Sequence, residues 1–173
     1  MMTIQNKSHP TLKDTQSWVK VLHAGQKDKL GKPYIGHIER VAAHLKQSFA
    51  NFTDDQLHAA YLHDAMEDCG VTKSDLFDKG YKDTIVKTIE LVTKPREKMS
   101  DSDYEEWIRS IIASQNIDAL RVKFSDMSDN LNEERMSQLE VEERIKLQKK
   151  YLGAYSLLTQ ALSMKGELQY VSS

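Results

Sequence analysis

The sequence predicts an all-α protein. Apolar residues recur at intervals of three and four along most of the chain, which is the spacing of one face of a helix. No segment shows the strict alternation of apolar and polar residues that is typical of a half-buried strand. The chain has only three prolines and seven glycines, so few residues would interrupt helices. We therefore expect a bundle of several helices.

The predicted helices follow one another with short polar loops between them. Thr53 and Gln56 match the capping-box pattern of a helix start, Asn116 is a suitable cap for a later helix, and Gly70 is a suitable stop. A lysine-rich loop spans residues 25–34. The apolar spacing places helices at residues 12–24, 34–49, 53–69, 81–93, 101–112, 116–131 and 140–163, with a short segment after Thr72.

Length, charge and cysteine content narrow the class of protein. At 173 residues we expect a single domain, residues 1–173, with a core at about 12–135 and a C-terminal helix at about 139–164 packed on it. The net charge of −2 gives no electrostatic reason to expect a nucleic-acid partner. No apolar run approaches the ~20 residues that span a membrane, and Cys69 is the only cysteine. We expect a cytoplasmic protein with no membrane partner, and the sequence does not indicate its oligomeric state.

The stretch AYLHDAMEDCG, residues 60–70, carries the most distinctive group of ionisable side chains. On one helix, four of them would fall in a single arc of roughly 140° with apolar residues on both sides: His63, Asp64, Glu67 and Asp68. Ionisable groups beside an apolar face need a partner, and a divalent metal ion is one. The alternative is an ordinary solvated helix face, and the residues alone leave both interpretations open.

A second polar group lies near the end of the helix predicted at residues 116–131. Asp126, Asp129 and Asn130 lie opposite its apolar stripe, so the periodicity alone predicts that they face solvent. A calcium-binding loop starting at Asp126 is excluded, because its sixth position is Leu131 rather than glycine and its twelfth is Ser137 rather than glutamate.

The chain resembles a known family in four segments. The order and spacing of the HD-domain phosphohydrolases are found in GKPYIGHIERVAAHL, AAYLHDAMEDCGVTKSDL, IELVTKP and ALRVKFSDMSDN. The similarity is greatest to the alarmone hydrolases, which are the ppGpp 3′-pyrophosphohydrolases and their small stand-alone relatives, and it covers residues 23–132. The resemblance implies a multi-helix HD-domain bundle around one metal site.

The resemblance also implies which residues bind the metal. The matching positions are His37, His63, Asp64 and Asp126, and the ion in the family is usually manganese, with iron or zinc as alternatives. A metal ligand at Asp126 would lie inside the bundle, against the periodicity-based prediction that this residue faces solvent.

Four further residues acquire roles from the same resemblance. Glu67 and Asp68 match the acidic pair that is linked to catalysis in the alarmone hydrolases. Glu67 would position the attacking water or take its proton, while Asp68 would orient the water or help to protonate the leaving oxygen. Lys29 lies in the loop that touches the nucleotide in relatives, and Asn130 matches a substrate-contacting asparagine.

Two positions depart from the family pattern. Asp28 stands where relatives often carry an arginine that packs on guanine, and Asp129 stands where they have a histidine before the asparagine. Both changes predict a carboxylate where a highly phosphorylated substrate approaches, which costs Coulomb energy. On this basis we expect weak alarmone hydrolysis and a gain from Asp28→Arg.

The expected function is that of a metal-dependent phosphohydrolase that removes phosphate or pyrophosphate from a small-molecule nucleotide, as ppGpp 3′-pyrophosphohydrolases do. One alternative keeps this chemistry but acts on a less phosphorylated nucleotide, either a nucleoside monophosphate or NADPH. Another is a non-catalytic nucleotide-binding module. The intact pair of Glu67 and Asp68 favours an enzyme, because a binding module has no need of it.

Overall fold

The computed structural model describes residues 8–168. Within this range it contains ten helices, and no β-strand beyond one isolated bridge between Lys27 and Pro33. The all-α prediction is confirmed. The helices are α1 (Leu12–Leu22), α2 (Ile35–Ser48), α3 (Asp54–Leu62), α4 (Ala65–Cys69), α5 (Lys73–Asp78), α6 (Asp83–Val92), α7 (Asp101–Ala113), α8 (Ile117–Asn130), α9 (Glu133–Met136) and α10 (Val141–Met164).

Helices α2, α3 and α8 form the centre of the bundle. Helix α8 contacts α2, α3 and α6, and α10 packs across α7 and α8. Every side chain of α8 from residue 119 to residue 127 is buried, including several that are polar or charged. Because α8 is enclosed in this way, its polar side chains need partners inside the protein.

The predicted helix caps are present. Thr53 and Gln56 form the capping box of α3, and the side chain of Asn116 accepts a hydrogen bond of 2.9 Å from the backbone N–H of Ala119 at the start of α8. Gly70 follows α4 with a φ of 67°, a left-handed conformation that glycine adopts at little cost. These local signals fix where the chain enters and leaves the central helices.

The single helix predicted at residues 53–69 is wrong, because α3 and α4 are separated by a turn made of His63 and Asp64. His63 Nδ1 lies 2.7 Å from the backbone oxygen of Ala60, and the hydroxyl of Tyr34 donates to Asp64 Oδ2 at 2.6 Å. Such side-chain bonds compete with the regular helix pattern. The turn carries an imidazole and a carboxylate to one place in the interior.

Helices α9 and α10 cover the bundle after α8. The four residues of α9 were not predicted; Asn132 caps this helix by accepting a hydrogen bond of 3.1 Å from the backbone N–H of Arg135. Helix α10 differs by one residue at each end from the helix predicted at residues 140–163. No helix between residues 8 and 168 has the length and apolar character needed to cross a bilayer. The cytoplasmic location stays a prediction.

A buried histidine away from the predicted ligands gives the fold a dependence on pH. His58 Nδ1 lies 2.8 Å from Thr15 Oγ1, which is in turn 2.7 Å from the hydroxyl of Tyr81. Burial, and then the neighbouring His9, lower the pKa of His58. The remaining charged groups that act on it are Asp54, Asp55 and Lys82.

We predict that His58 lowers the free energy of unfolding as the pH falls. Its pKa is lower in the folded than in the unfolded chain, so the unfolded chain takes up a proton first and the folded state loses stability below the ordinary histidine pKa. Urea unfolding at about pH 7.5 and about pH 5.5 should show a larger loss for the wild type than for His58→Gln. All other groups are common to both proteins. Equal losses would contradict this role.

Candidate active site

The structure brings the four predicted metal ligands together from three parts of the bundle. His37 lies near the start of α2, His63 and Asp64 form the turn between α3 and α4, and Asp126 lies on α8. His37 Nε2 is 3.3 Å from Asp126 Oδ1, and His63 Nε2 is 3.0 Å from Asp64 Oδ2 and 3.5 Å from Asp126 Oδ1. Ligand atoms of His37, His63 and Asp64 all lie within 4.8 Å of one another. We call these four residues the ligand cluster.

The hydrogen bonds of the two rings leave their Nε2 atoms for a cation. His63 Nδ1 faces a backbone carbonyl, so it donates; when the ring is neutral, as a metal ligand has to be, its Nε2 carries a lone pair. This Nε2 is buried and has no hydrogen-bond partner. His37 Nδ1 similarly faces Asp129 Oδ2 at 2.6 Å. The Nε2 lone pairs of the two histidines thus face the carboxylates of Asp64 and Asp126, and a divalent ion between them could bind to all four groups.

The pKa directions show how strongly this cluster attracts positive charge. Burial opposes protonation of both rings, but Asp126 and Asp129 raise the pKa of His37, and Asp64 and Asp126 raise the pKa of His63. Burial would raise the pKa values of Asp64 and Asp126, yet the neighbouring positive groups lower both. The carboxylates therefore stay ionised inside the protein, and a divalent cation is a suitable counter-charge.

Asp126 is held by two side chains of its own helix. Lys123 Nζ donates to its Oδ2 at 2.8 Å, and Asn130 Nδ2 donates to its Oδ1 at 2.9 Å. Asp126 is only 5% exposed and Asp129 is fully buried, so the prediction from periodicity that they face solvent is wrong. The sequence did not identify Lys123. Its position three residues before Asp126 places it on the same face of the helix, but only the structure shows that both side chains are buried.

A cleft of about 230 Å³ lies beside the ligand cluster and opens to solvent on one side. His37, Asp64 and Asp126 line its floor. Five basic side chains line its walls: Lys27, Lys29, Lys94, Lys123 and Arg135. Apolar and aromatic side chains also line the cleft, among them Tyr104, Met136, Leu139, Leu147 and Tyr151.

Helix α10 supplies part of this cleft through Leu147 and Tyr151. The family resemblance ends before this helix, so the sequence analysis gave α10 no part in the site. Its apolar spacing indicated packing but could not show which helices it would cover.

The structure places the two predicted catalytic acids differently. Glu67 lines the cleft, with Oε1 2.7 Å from Lys94 Nζ, and its Oε2 accepts a hydrogen bond of 3.2 Å from the backbone N–H of Lys94. Asp68 is exposed, does not line the cleft and accepts a hydrogen bond of 2.9 Å from Gln26 Nε2. Lys94 was missed although it lies in the segment IELVTKP.

The two predicted substrate contacts both line the cleft. Lys29 forms an ion pair with Glu143 of α10, and Asn130 is half-buried and bonded to Asp126. The loop that carries Lys29 therefore meets the C-terminal helix at the cleft.

The reason for expecting weak alarmone hydrolysis does not hold in the structure. Asp129 is fully buried, does not line the cleft and faces His37, so it does not meet an approaching phosphate. Asp28 does line the cleft, but its carboxylate pairs with Arg135 at 2.9 Å and accepts the backbone N–H groups of Leu30 and Lys32. An arginine at position 28 would lose these bonds, so the expected gain from Asp28→Arg is withdrawn.

The chain is similar to known proteins in sequence and in structure. No protein-family model matches the sequence. The guanosine-3′,5′-bis(diphosphate) 3′-pyrophosphohydrolase of Aquifex aeolicus is 31% identical over 157 residues, and the protein of the same name from Vibrio cholerae is 27% identical over 157 residues. These matches cover 88% and 85% of this chain. The predicted resemblance to the alarmone hydrolases is confirmed.

The resemblance to the alarmone hydrolases has a defined extent. The chain spans about a fifth of the length of these curated relatives, 22% and 21%. A solved structure described as a metazoan ortholog of SpoT that hydrolyzes ppGpp superposes with a TM-score of 0.68 and 20% identity, covering 93% of this chain and 99% of the other. This similarity supports the HD-type helical bundle as the fold.

We predict that the ligand cluster couples metal binding to stability. An ion that binds the folded chain alone stabilises it by about 2.7 kcal/mol when its concentration is 100 times its Kd. Adding Mn²⁺ to metal-free protein should therefore raise the Tm of the wild type but not that of His63→Gln or Asp126→Asn. His58→Gln changes another buried histidine outside the cluster and is the matched control, which should keep the shift. A full shift in His63→Gln would contradict the ligand assignment.

Proposed function

We propose that the chain is a metal-dependent phosphohydrolase that removes pyrophosphate from the 3′ position of a guanosine alarmone such as ppGpp. The observation that carries this proposal is the convergence of His37, His63, Asp64 and Asp126 beside a cleft that four lysines and an arginine help to line. The names of the sequence relatives support the choice of substrate.

The metal would be held by the two Nε2 atoms of the histidines and by carboxylate oxygens of Asp64 and Asp126. This mixture of imidazole and carboxylate suits a transition metal, and we assign manganese first, with iron or zinc as alternatives. In such a position a divalent ion supplies Lewis acidity and neutralises developing negative charge. Tyr34 fixes Asp64 by donating a hydrogen bond of 2.6 Å to its Oδ2.

Glu67 is the group that we assign to the water molecule that attacks phosphorus. Its carboxylate lies in the cleft, and the Nζ and backbone N–H of Lys94 hold it in one orientation. A carboxylate fixed in this way orients the water and takes its proton as the bond to phosphorus forms. Asp68 is bonded to Gln26 and does not line the cleft, so the part we propose for it is to help return a proton to the leaving oxygen through a water molecule rather than by direct contact.

The basic walls fit a substrate that carries several phosphate groups. Lys94, Lys123, Lys29 and Lys150 lie close enough that burial and the three other lysines lower the pKa of Lys150. Such a concentration of like charge favours a polyanion, because the anion relieves the repulsion. The apolar side chains of Leu139 and Leu147 offer a surface for a nucleoside.

Glu67→Gln separates catalysis from metal binding. The amide keeps the shape of the side chain but cannot take a proton, so turnover should fall by about 10²-fold or more while the metal content stays that of the wild type. The matched control is Glu90→Gln, which changes a surface glutamate that pairs with Lys73 at 3.0 Å. Steady-state assays with Mn²⁺ and metal analysis measure both properties. Wild-type turnover in Glu67→Gln would refute the assigned role.

A comparison of nucleotides tests the substrate. With Mn²⁺, the wild type should release pyrophosphate from ppGpp with a higher kcat/KM than it shows for phosphate release from GMP or NADPH. The basic side chains of the cleft give the physical reason, since they attract a more highly charged anion more strongly. Preferred hydrolysis of GMP or NADPH would transfer the proposal to that substrate. Metal binding with no turnover of any of the three would favour a non-catalytic nucleotide-binding protein.

A further inference from the structure

The two residues that depart from the family pattern are joined by one arginine. Arg135, in α9, reaches Asp28 with Nη2 at 2.9 Å and Asp129 with Nη1 at 2.5 Å. Asp129 in turn lies 2.6 Å from Nδ1 of the predicted ligand His37. Two changes that look independent in the sequence are therefore parts of one chain of ionic contacts, which ends at the ligand cluster.

Asp129 is held rigidly at the inner end of this chain of contacts. Its side chain is fully buried, and Arg40 Nε donates to its Oδ1 at 2.7 Å while Arg135 contacts Oδ2. The group is thus a fixed carboxylate with two guanidinium groups to balance its charge.

A carboxylate in this position determines what the ring of His37 presents to the cleft. An acceptor at Nδ1 keeps the proton on that nitrogen and directs the lone pair of Nε2 towards Asp64 and Asp126. It also makes Nε2 a better donor to a metal, as carboxylates behind ligating histidines do in other metal sites.

The outer end of the chain of contacts organises the loop at residues 27–32. Asp28 Oδ1 accepts the backbone N–H groups of Leu30 and Lys32, both at 2.9 Å, so this carboxylate shapes the loop that carries Lys29. Asp28 Oδ2 is the oxygen that Arg135 binds. The position of the loop and the orientation of a metal ligand thus depend on the same guanidinium group.

We propose that Asp129 is a positioning residue for the metal ligand His37, and that Arg135 ties it to Asp28 and the loop at residues 27–32. We call Asp28, Arg135 and Asp129 the relay. The relay fixes the orientation of the His37 ring and the position of the loop at residues 27–32 through the same contacts. This inference rests on the proposed metal-dependent function.

The inner part of the relay is tested by metal binding. Asp129→Asn keeps the size of the side chain but removes the charge behind His37, so the Kd for Mn²⁺, measured by competition with a chelator, should rise about 10- to 100-fold. The visible spectrum of the Co²⁺-loaded variant should also change, because it reports the ligand geometry. The control Asp118→Asn changes another hydrogen-bonded carboxylate of α8, which accepts from Gln56 Nε2 at 2.7 Å, and should keep the wild-type Kd.

The outer part of the relay is tested by separating metal affinity from substrate affinity. Asp28→Asn leaves the contact between Asp129 and His37 in place, so the Kd for Mn²⁺ should stay that of the wild type while the KM for the nucleotide rises about tenfold. Arg135→Gln removes both contacts and should raise both constants. Because the side chain of Arg135 is partly exposed, we expect Arg135→Gln to fold, and it can replace Asp129→Asn in the test if that variant does not fold.

The outcomes distinguish the relay from the function on which it rests. An unchanged Kd for Mn²⁺ in both Asp129→Asn and Arg135→Gln would overturn the relay, even with a lower Tm, because a merely structural role moves only the Tm. Wild-type protein that binds Mn²⁺ without hydrolysing ppGpp would overturn the substrate assignment. The relay would then still be supported or refuted by the Kd values of the variants for Mn²⁺. Wild-type protein that binds no transition metal would overturn both.

Discussion

Inside the bundle, the carboxylates of Asp64 and Asp126 face the Nε2 atoms of His37 and His63 at distances between 3.0 and 3.6 Å. Ionised carboxylates in a protein interior are costly unless positive charge and hydrogen bonds compensate them. Much of the surrounding structure supplies this compensation. Lys123 binds Asp126 from the same helix, and other polar side chains hold the remaining oxygen atoms. A divalent ion among the four side chains would supply further positive charge.

The candidate site lies at the centre of the fold and opens on one side. Helices α2, α3 and α8 are the core of the bundle, and each ends or passes beside the ligand cluster. The open side is closed in part by α10 and by the loop at residues 27–32, which meet through the ion pair of Lys29 with Glu143. The buried part of the site can thus hold a small ion, while the outer part can bind a larger anion.

The sequence predicted most of the fold because its signals are local. Helical spacing and caps such as Thr53 and Asn116 depend on neighbours within a few residues, and the structure confirms them. The break at His63 and Asp64 was not predicted, in part because one of the side-chain bonds at this turn comes from Tyr34, which is distant in the chain. Periodicity also failed for Asp126, since a helix enclosed on all sides has no solvent face for its polar residues.

The candidate site could be predicted as a set of residues but not as a set of contacts. The family resemblance named His37 and Asp126, and the structure brings them within 3.3 Å. It could not name Arg135, because this residue lies beyond the matching segments and acts through contacts that the sequence does not show. The effect of Asp129 was misjudged for the same reason: its position in the pattern gave no information on the direction in which its carboxylate points.

The central claim is that one divalent ion binds between the two histidines and the two aspartates. Anomalous diffraction from crystals grown with Mn²⁺ tests it most directly, since the signal locates the metal without reference to any assumed role. The account predicts one strong anomalous peak within coordination distance of His37 Nε2, His63 Nε2, Asp64 and Asp126. A peak elsewhere in the protein, with water among these four side chains, would contradict it.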